Sequence, residues 1–350
     1  MKQEIIINNF QISAITKSYV IAEIGGNHQG DLETVKLMFK IAKECGADAV
    51  KLQKRSSYDL YTREMLDKPY EGRNSFGKTY LEHREALEFG LDEYKELIHY
   101  AKEVNITFFA TPFDWQSADF LKNLDMPVYK IGSGDLKNTP FQEYVAKFNK
   151  PVLLSTGGGT LEDVKRAYNA IMPFNKELCI MQCTSTYPVK PSMVNLNVLN
   201  TYRSEFPDVV LGFSNHSKDL KADLMAFAMG ARIIEKHFTL DSTQKGSDHI
   251  ASIEPNELKE LCNSLNDAYL MLGDGIKKPF EEEEKALMKV NKRLVAANNL
   301  KKGTVITNED ISIKSASSGL FPYEINQILG KTIISDLTKD EPFSLIQLTN

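Results

Sequence analysis

No stretch of the chain approaches the roughly 18 consecutive apolar residues of a membrane-spanning helix, so a membrane is not an expected partner. The N-terminal MKQEIIINNF has neither a long apolar run nor a small-residue cleavage site, so no secretory signal is expected. Basic tracts are missing as well. Net charge is −5 and no Lys/Arg patch is interleaved with aromatics, which argues against nucleic acid. Cysteine is scarce and scattered, at Cys45, Cys179, Cys183 and Cys262. Cys179 and Cys183 fall in an apolar run and read as small core residues rather than metal ligands. Free thiols without a secretory signal point to a reducing cytoplasm.

What is present is a regular alternation. Hydrophobic content of 42% and charged content of 25% suit a globular chain with a sizeable core. Eight short apolar runs predict strands buried on both faces: YVIAEIG (19–25), ADAVKLQ (47–53), ITFFAT (106–111), PVYKIGS (127–133), PVLLST (151–156), LCIMQCT (178–184), DVVLGFS (208–214) and ARIIEKH (231–237). Helix-spaced segments such as LETVKLMFKIAKECG, LDEYKELIHYAKEVN and LEDVKRAYNAI lie between them, with Asp31 as an N-cap and Gly46 as a terminator. Eight such units over roughly 250 residues predict a (β/α)8 TIM barrel. A doubly wound open sheet is the runner-up. It lacks its glycine-rich first turn, because Gly157–Gly159 follows the fifth strand.

Around the barrel the expectations are coarser. Residues 1–18 predict a hairpin or lid ahead of a catalytic domain spanning 1–272. The long connection 54–90 reads as a substrate-binding element. Residues 273–289 read as a charged linker with a solvated acidic run, Glu281–Glu284. Residues 290–350 read as a small mostly-β domain, too small for an ample core of its own.

Polar residues recur at the C-terminal ends of the predicted strands. They are Glu23, Lys51, Gln53, Thr111, Lys130, Ser133, Asp135, Ser155, Ser185, Tyr187, Ser214, His216, Glu235 and His237, with Asp248 in the last loop. Two lysines and several hydroxyls at one mouth make an anion site for phosphate and carboxylate. Burying Lys51 and Lys130 without a ligand would be costly. Two histidines on adjacent strands can hold a divalent metal.

The motifs IAEIGGNHQGD (21–31), ADAVKLQK (47–54), YKIGSGDL (129–136), PVLLSTGG (151–158), QCTSTYP (182–188), GFSNHS (212–217), EKHFTLD (235–241) and KGSDHIASIEP (245–255) resemble the sialic acid synthase family nearly end to end. KKGTVITNEDI and ILGKTIISDLTKDEP resemble its C-terminal antifreeze-like (SAF, β-clip) domain. The resemblance implies condensation of phosphoenolpyruvate with the open-chain aldehyde of N-acetylmannosamine or another N-acylated hexosamine, with release of phosphate by C–O cleavage. Lys51, Lys130, Ser133, Ser155 and Ser214 would hold phosphoenolpyruvate. Gln53, Thr111, Asp135, Ser185, Tyr187 and Asp248 would position the sugar. His216 and His237 would bind Mn2+ or Mg2+, and Glu23 would manage water or a proton. The free sugar is the first expectation. The 6-phosphate is the alternative, with Lys78, His83 and Arg84 of the long loop to meet it. The resemblance further implies a domain-swapped homodimer, although Ser315 and Ala316 stand where many relatives have the Arg-Pro that reaches the partner's sugar. Asn215 replaces a frequent Asp or Gly beside the metal histidine. Rival functions are a Schiff-base aldolase at Lys130 or Lys236, and a non-catalytic antifreeze-like binding protein.

Overall fold

In the computed structural model, which describes residues 4–349, the eight apolar runs form one parallel sheet. Its strands are β3 (Tyr19–Glu23), β4 (Ala49–Lys54), β5 (Thr107–Pro112), β6 (Tyr129–Ile131), β7 (Val152–Ser155), β8 (Leu178–Cys183), β9 (Val210–Asn215) and β10 (Ile233–His237). They follow a hairpin of β1 (Glu4–Ile7) and β2 (Phe10–Ser13). The first and last barrel strands pair, from Ile233↔Tyr19 to His237↔Glu23, so the sheet curls into a nearly closed barrel. β5 and β6 lie side by side at the seam without a hydrogen-bonded ladder. The helices between strands carry the predicted ends. Asp31 accepts from Thr34 N at the start of Leu32–Glu44, and Gly46 turns the chain away with φ of 97°. Among the described residues no helix is long and apolar enough to cross a membrane.

The N-terminal hairpin is not a lid on the catalytic mouth. Ile5, Ile7 and Ile12 are buried. Asn8 donates to Thr107 Oγ1 (3.0 Å) and Ile6 N–H to Glu177 (3.2 Å), both at the N-terminal ends of strands. The hairpin therefore closes the opposite end of the barrel, where apolar side chains would otherwise face water.

The long connection after β4 folds into three short helices, Ser57–Leu60, Arg63–Leu66 and Tyr80–Glu85. Aromatic contacts hold it together, with Tyr70 and His83 tilted at 4.4 Å and Tyr61 and Tyr80 edge to face at 5.0 Å. Arg73 donates to the Thr243 carbonyl (2.9 Å) and Gly246 N–H to Asn74 (3.2 Å), which ties this segment to the loop after β10.

The chain divides into two compact units at Gly273/Asp274. The segment expected to be a plain linker contains a helix, Glu281–Leu287, exposed throughout. Its acidic residues sit in the first turn, where the helix dipole favours them, and Glu283 caps Phe280 N–H at 2.8 Å. The second unit pairs Lys292–Ala296 with Ile311–Ser315 and Thr332–Ile333 with Leu348–Thr349, around Leu294, Ile306, Ile328 and Phe343.

Below the polar mouth the barrel interior is close-packed. A Cβ on Gly212 of β9 would meet Met181 Cγ at 2.8 Å, Cys179 Sγ at 2.9 Å and the Ile233 carbonyl oxygen at 3.1 Å. Gly212→Ala should therefore cost about 1–3 kcal/mol of stability by overpacking. The measurement is the denaturant midpoint at unchanged slope, and a loss under about 0.5 kcal/mol would show that the core has room.

Candidate active site

Side chains on a strand alternate between faces, so residues two apart enter the barrel together. On β3 the final inward residue is Glu23, on β4 Lys51 and Gln53, on β5 Thr111, on β6 Lys130, on β7 Ser155, on β9 Ser214, and on β10 Glu235 and His237. The ladders place Glu23 opposite Lys51, Ser214 opposite Glu235, and Glu23 opposite His237.

These residues form a buried charge cluster. Lys51 Nζ lies 2.8 Å from Glu23 Oε2 and 3.8 Å from Glu235, and donates to Thr111 at 2.7 Å. Lys130 Nζ lies 3.6 Å from the same Glu235 oxygen and donates to Ser155. Ser214 donates to Glu235 at 3.2 Å. Burial by itself would raise the Glu235 carboxyl. The Lys130 and Lys51 ammoniums, then the two imidazoles, overcome it and hold that group at about 2. Burial opposes the charge on Lys51, but Glu23 and Glu235 outweigh it and raise its pKa. Lys130 moves down, because burial and the nearby Lys51 outweigh Glu235. A cavity of about 180 Å³ opens above this cluster. Ser133 and Ser185 also line it, and Gly157 N–H donates to Ser133 Oγ at 3.0 Å.

The two histidines meet at the edge of this cavity, with ring centroids 5.3 Å apart. His216 Nδ1 lies 2.8 Å from the Thr184 carbonyl oxygen, an arrangement in which Nδ1 carries the proton and Nε2 offers a lone pair. Tyr187 Oη is 3.0 Å from that Nε2. Burial, then the neighbouring His237, lowers His216 to about 4, so the ring is neutral near pH 7. His237 Nδ1 is buried without a hydrogen-bond partner. Among the described residues no three His, Cys, Asp or Glu side chains converge as a full metal-ligand set. This pair can supply two ligands of an open shell and no more.

A second cavity of about 280 Å³ adjoins the first and shares Gln53, Phe113, Tyr187 and His237 with it. Its walls include Asp248 and the long-loop residues His83 and Arg84. His83 is buried, not a solvated helical face, whereas Lys78 is exposed and lines neither cavity. Gly25 takes a φ of 55°, and a Cβ there would fall 2.8 Å from Asp248 Oδ2 and 3.3 Å from Gln53 Nε2. Glycine thus lets Asp248 and Gln53 close on Glu23, whose Oε1 accepts from Gln53 at 2.7 Å.

Several expected residues lie elsewhere. Asp135 lines neither cavity, and its carboxylate accepts from Asn138 at 3.0 Å in the turn after β6. Thr111 and Ser185 border the charged cavity rather than the larger one. Asn215 faces out of the barrel, bonded to Asp223, because it is one residue out of phase with Ser214. Lys236 is out of phase with Glu235 and His237 in the same way. Its ammonium meets Asp223 at 2.8 Å outside the barrel, which rules it out as a nucleophile in the site.

The sequence matches the NeuB family model over residues 38–277 and the SAF domain model over residues 293–347. The chain belongs to the NeuB family. It is therefore an enzyme of the sialic acid synthase group, with a SAF domain after the barrel. It is 40% identical over 324 residues to the human N-acetylneuraminate-9-phosphate synthase, covering 92% of this chain and 90% of that one. It is 36% identical to the N,N'-diacetyllegionaminic acid synthase of Campylobacter jejuni, covering 93% and 98%. The crystal structure of N-acetylneuraminic acid synthetase from Leptospira borgpetersenii, in complex with citrate, superimposes with a TM-score of 0.71 at 32% identity, over 82% of this chain and 96% of that one.

Two residues of this NeuB site escaped a motif-based reading. Glu235 received no role, yet it is the carboxylate both lysines approach, and its spacing of two from His237 already placed it on the same face. Arg55 lines the larger cavity, stacks on Phe113 at 4.1 Å and donates to Gln53. It continues the inward spacing of Lys51 and Gln53 one step past the sheet.

Burial also lowers His28 to about 4. Unfolded chains take up protons at such histidines below about pH 6.5, while the native state resists until about 4. The unfolded state then binds more protons, so stability should fall as pH drops through that window. Denaturant unfolding between pH 7 and 4 checks this, and a constant midpoint would contradict it.

Proposed function

We propose that the enzyme condenses phosphoenolpyruvate with the open-chain aldehyde of an N-acylated hexosamine, giving a nonulosonic acid and phosphate. The observation that carries this reading is the junction of a cavity walled by Lys51 and Lys130 with a larger polar cavity at the two imidazoles. The lysines with Ser133, Ser155 and Ser214 suit the phosphate and carboxylate of a small dianionic or trianionic enol ester. The sugar extends into the larger cavity past Gln53, Tyr187 and Asp248, which brings its aldehyde to the shared wall.

In the reaction, C3 of phosphoenolpyruvate forms a bond to the aldehyde carbon, and the aldehyde oxygen gains a proton. Water adds to C2 and gives up its proton, with Glu23 placed to accept it. The C2–O bond to phosphate then breaks, its electron pair leaves with the phosphate, the C2 hydroxyl gives its proton to that phosphate, and a 2-keto acid remains. Lys51 pairs with one Glu23 oxygen at 2.8 Å, and Gln53 donates to the other and orients it. His216 and His237 would hold a divalent cation, Mn2+ or Mg2+, which supplies Lewis-acid polarisation of the aldehyde oxygen when bound. The neutral His216 tautomer and the unpartnered His237 Nδ1 suit that role.

One observation favours the 6-phosphorylated sugar over the free one. Arg84 faces the larger cavity, donates to Tyr80 Oη at 2.9 Å and 2.8 Å, and forms no ion pair among the described residues. A guanidinium with no carboxylate partner in a substrate cavity suits a phosphate.

The direct test is phosphate release from phosphoenolpyruvate with Mn2+ and a panel of free and 6-phosphorylated N-acylated hexosamines. Activity with none of them would overturn the synthase assignment, and borohydride trapping of a substrate on Lys130 would favour an aldolase instead. His216→Ala and His237→Ala should each lower turnover by about a hundredfold or more, beyond the usual effect of outer-shell changes. Near-normal turnover in both would remove the metal role. Arg84→Ala should raise KM for the 6-phosphate by about tenfold while leaving the free sugar unaffected, as expected for losing a charged hydrogen bond. Equal effects on both sugars would discard the phosphate reading.

A further inference from the structure

We infer that Asp223 is a positioning residue for the imidazole pair, acting from outside the barrel through Asn215 and Lys236. The inference rests on the reading of His216 and His237 as metal ligands. Asn215 and Lys236 are ladder partners on β9 and β10, and each immediately precedes a site histidine. Both side chains point outward and converge on one carboxylate. Asn215 Nδ2 lies 3.0 Å from each Asp223 oxygen, and Lys236 Nζ is 2.8 Å from Asp223 Oδ2. Asp223 sits on the helix Lys221–Ala228, and Asp223 and Lys236 are both 0% exposed. The same groups also hold the loop after β9. Asn215 Oδ1 accepts Ser217 N–H at 2.9 Å, and Lys236 donates to the Asp219 carbonyl at 3.2 Å.

Stability alone does not account for this arrangement. A fully buried ion pair is commonly no better than well-packed apolar residues of similar volume. Its distinctive property is directional: it defines how far β9 and β10 slide past each other at the level where the histidines leave the sheet. On the inner face at that level, beside the backbone ladder, the side-chain hydrogen bond between β9 and β10 among the described residues is the 3.2 Å one from Ser214 to Glu235. Releasing the outer clasp lets the two rings drift apart, while Lys51, Lys130 and Ser155 stay on strands that the clasp does not touch.

Asp223→Asn leaves a buried ammonium unpaired and can unfold the chain, so the decisive variant removes both charges: Asp223→Leu combined with Lys236→Met. The readouts are the thermal midpoint, phosphoenolpyruvate affinity by calorimetry, Mn2+ affinity by electron paramagnetic resonance, and kcat. A positioning role predicts a folded variant whose phosphoenolpyruvate affinity falls by no more than about threefold, the partial loss of one neutral hydrogen bond from Ser214, while Mn2+ affinity falls by about tenfold to a hundredfold. Wild-type Mn2+ affinity and kcat in the folded double variant would overturn the inference. Failure of the double variant to fold would overturn it too, because the network would then be a stability element. If the wild-type enzyme itself binds no Mn2+, the metal reading is what fails. Positioning is then judged on turnover: wild-type kcat overturns it, and a tenfold or greater loss with intact phosphoenolpyruvate binding supports it.

Discussion

The mouth of this barrel is governed by one electrostatic constraint: two ammoniums and two carboxylates share a nearly dry space. Lys51, Lys130, Glu23 and Glu235 are each no more than 5% exposed. A single such charge would be expelled or neutralised. Together they are tolerable, because each lysine approaches a carboxylate and hydroxyls of Thr111, Ser155 and Ser214 add hydrogen bonds, although Glu235 Oε2 is left without one. The balance is uneven. Lys51 has Glu23 at 2.8 Å and Glu235 at 3.8 Å, whereas Lys130 has Glu235 at 3.6 Å and shares it, so Lys130 is the less neutralised of the two. An anion in the cavity would complete the pairing, which is the basis of the proposal that the cluster receives a phosphate or carboxylate.

The same two strands carry two electrostatic systems, one on each face. Inward, β10 offers Glu235 and His237; outward, between them, it offers Lys236. Inward, β9 offers Ser214; outward, Asn215. The two systems are separated by one residue and by the thickness of the sheet. Lys236 and Lys130 are therefore chemically alike but work on opposite faces of the sheet. One is paired with Asp223 behind the barrel wall and the other faces the smaller cavity.

Much of this was legible in the chain. The eight strands appeared as short apolar runs, and the N-cap at Asp31 and terminator at Gly46 lie where their chemistry predicted. Lys51, Lys130, Ser155, His216 and His237 converge because period-two alternation at strand ends is a local property. Asp135 lies outside both cavities for a local reason too: the turn after β6 aims its carboxylate at Asn138, and strand alternation does not extend into a turn. The hairpin's end of the barrel was not legible, since an apolar hairpin can cover either mouth.

The sequence by itself determined the barrel, the residue types at its mouth and the family, because these follow from periodicity and ordered motifs. Tertiary structure decided which charges meet. It placed His83 and Arg84 at the larger cavity, gave both lysines Glu235, and turned Asn215 away from the histidines it sits beside. Those outcomes depend on distances between residues far apart in the chain, and no local pattern carries that information.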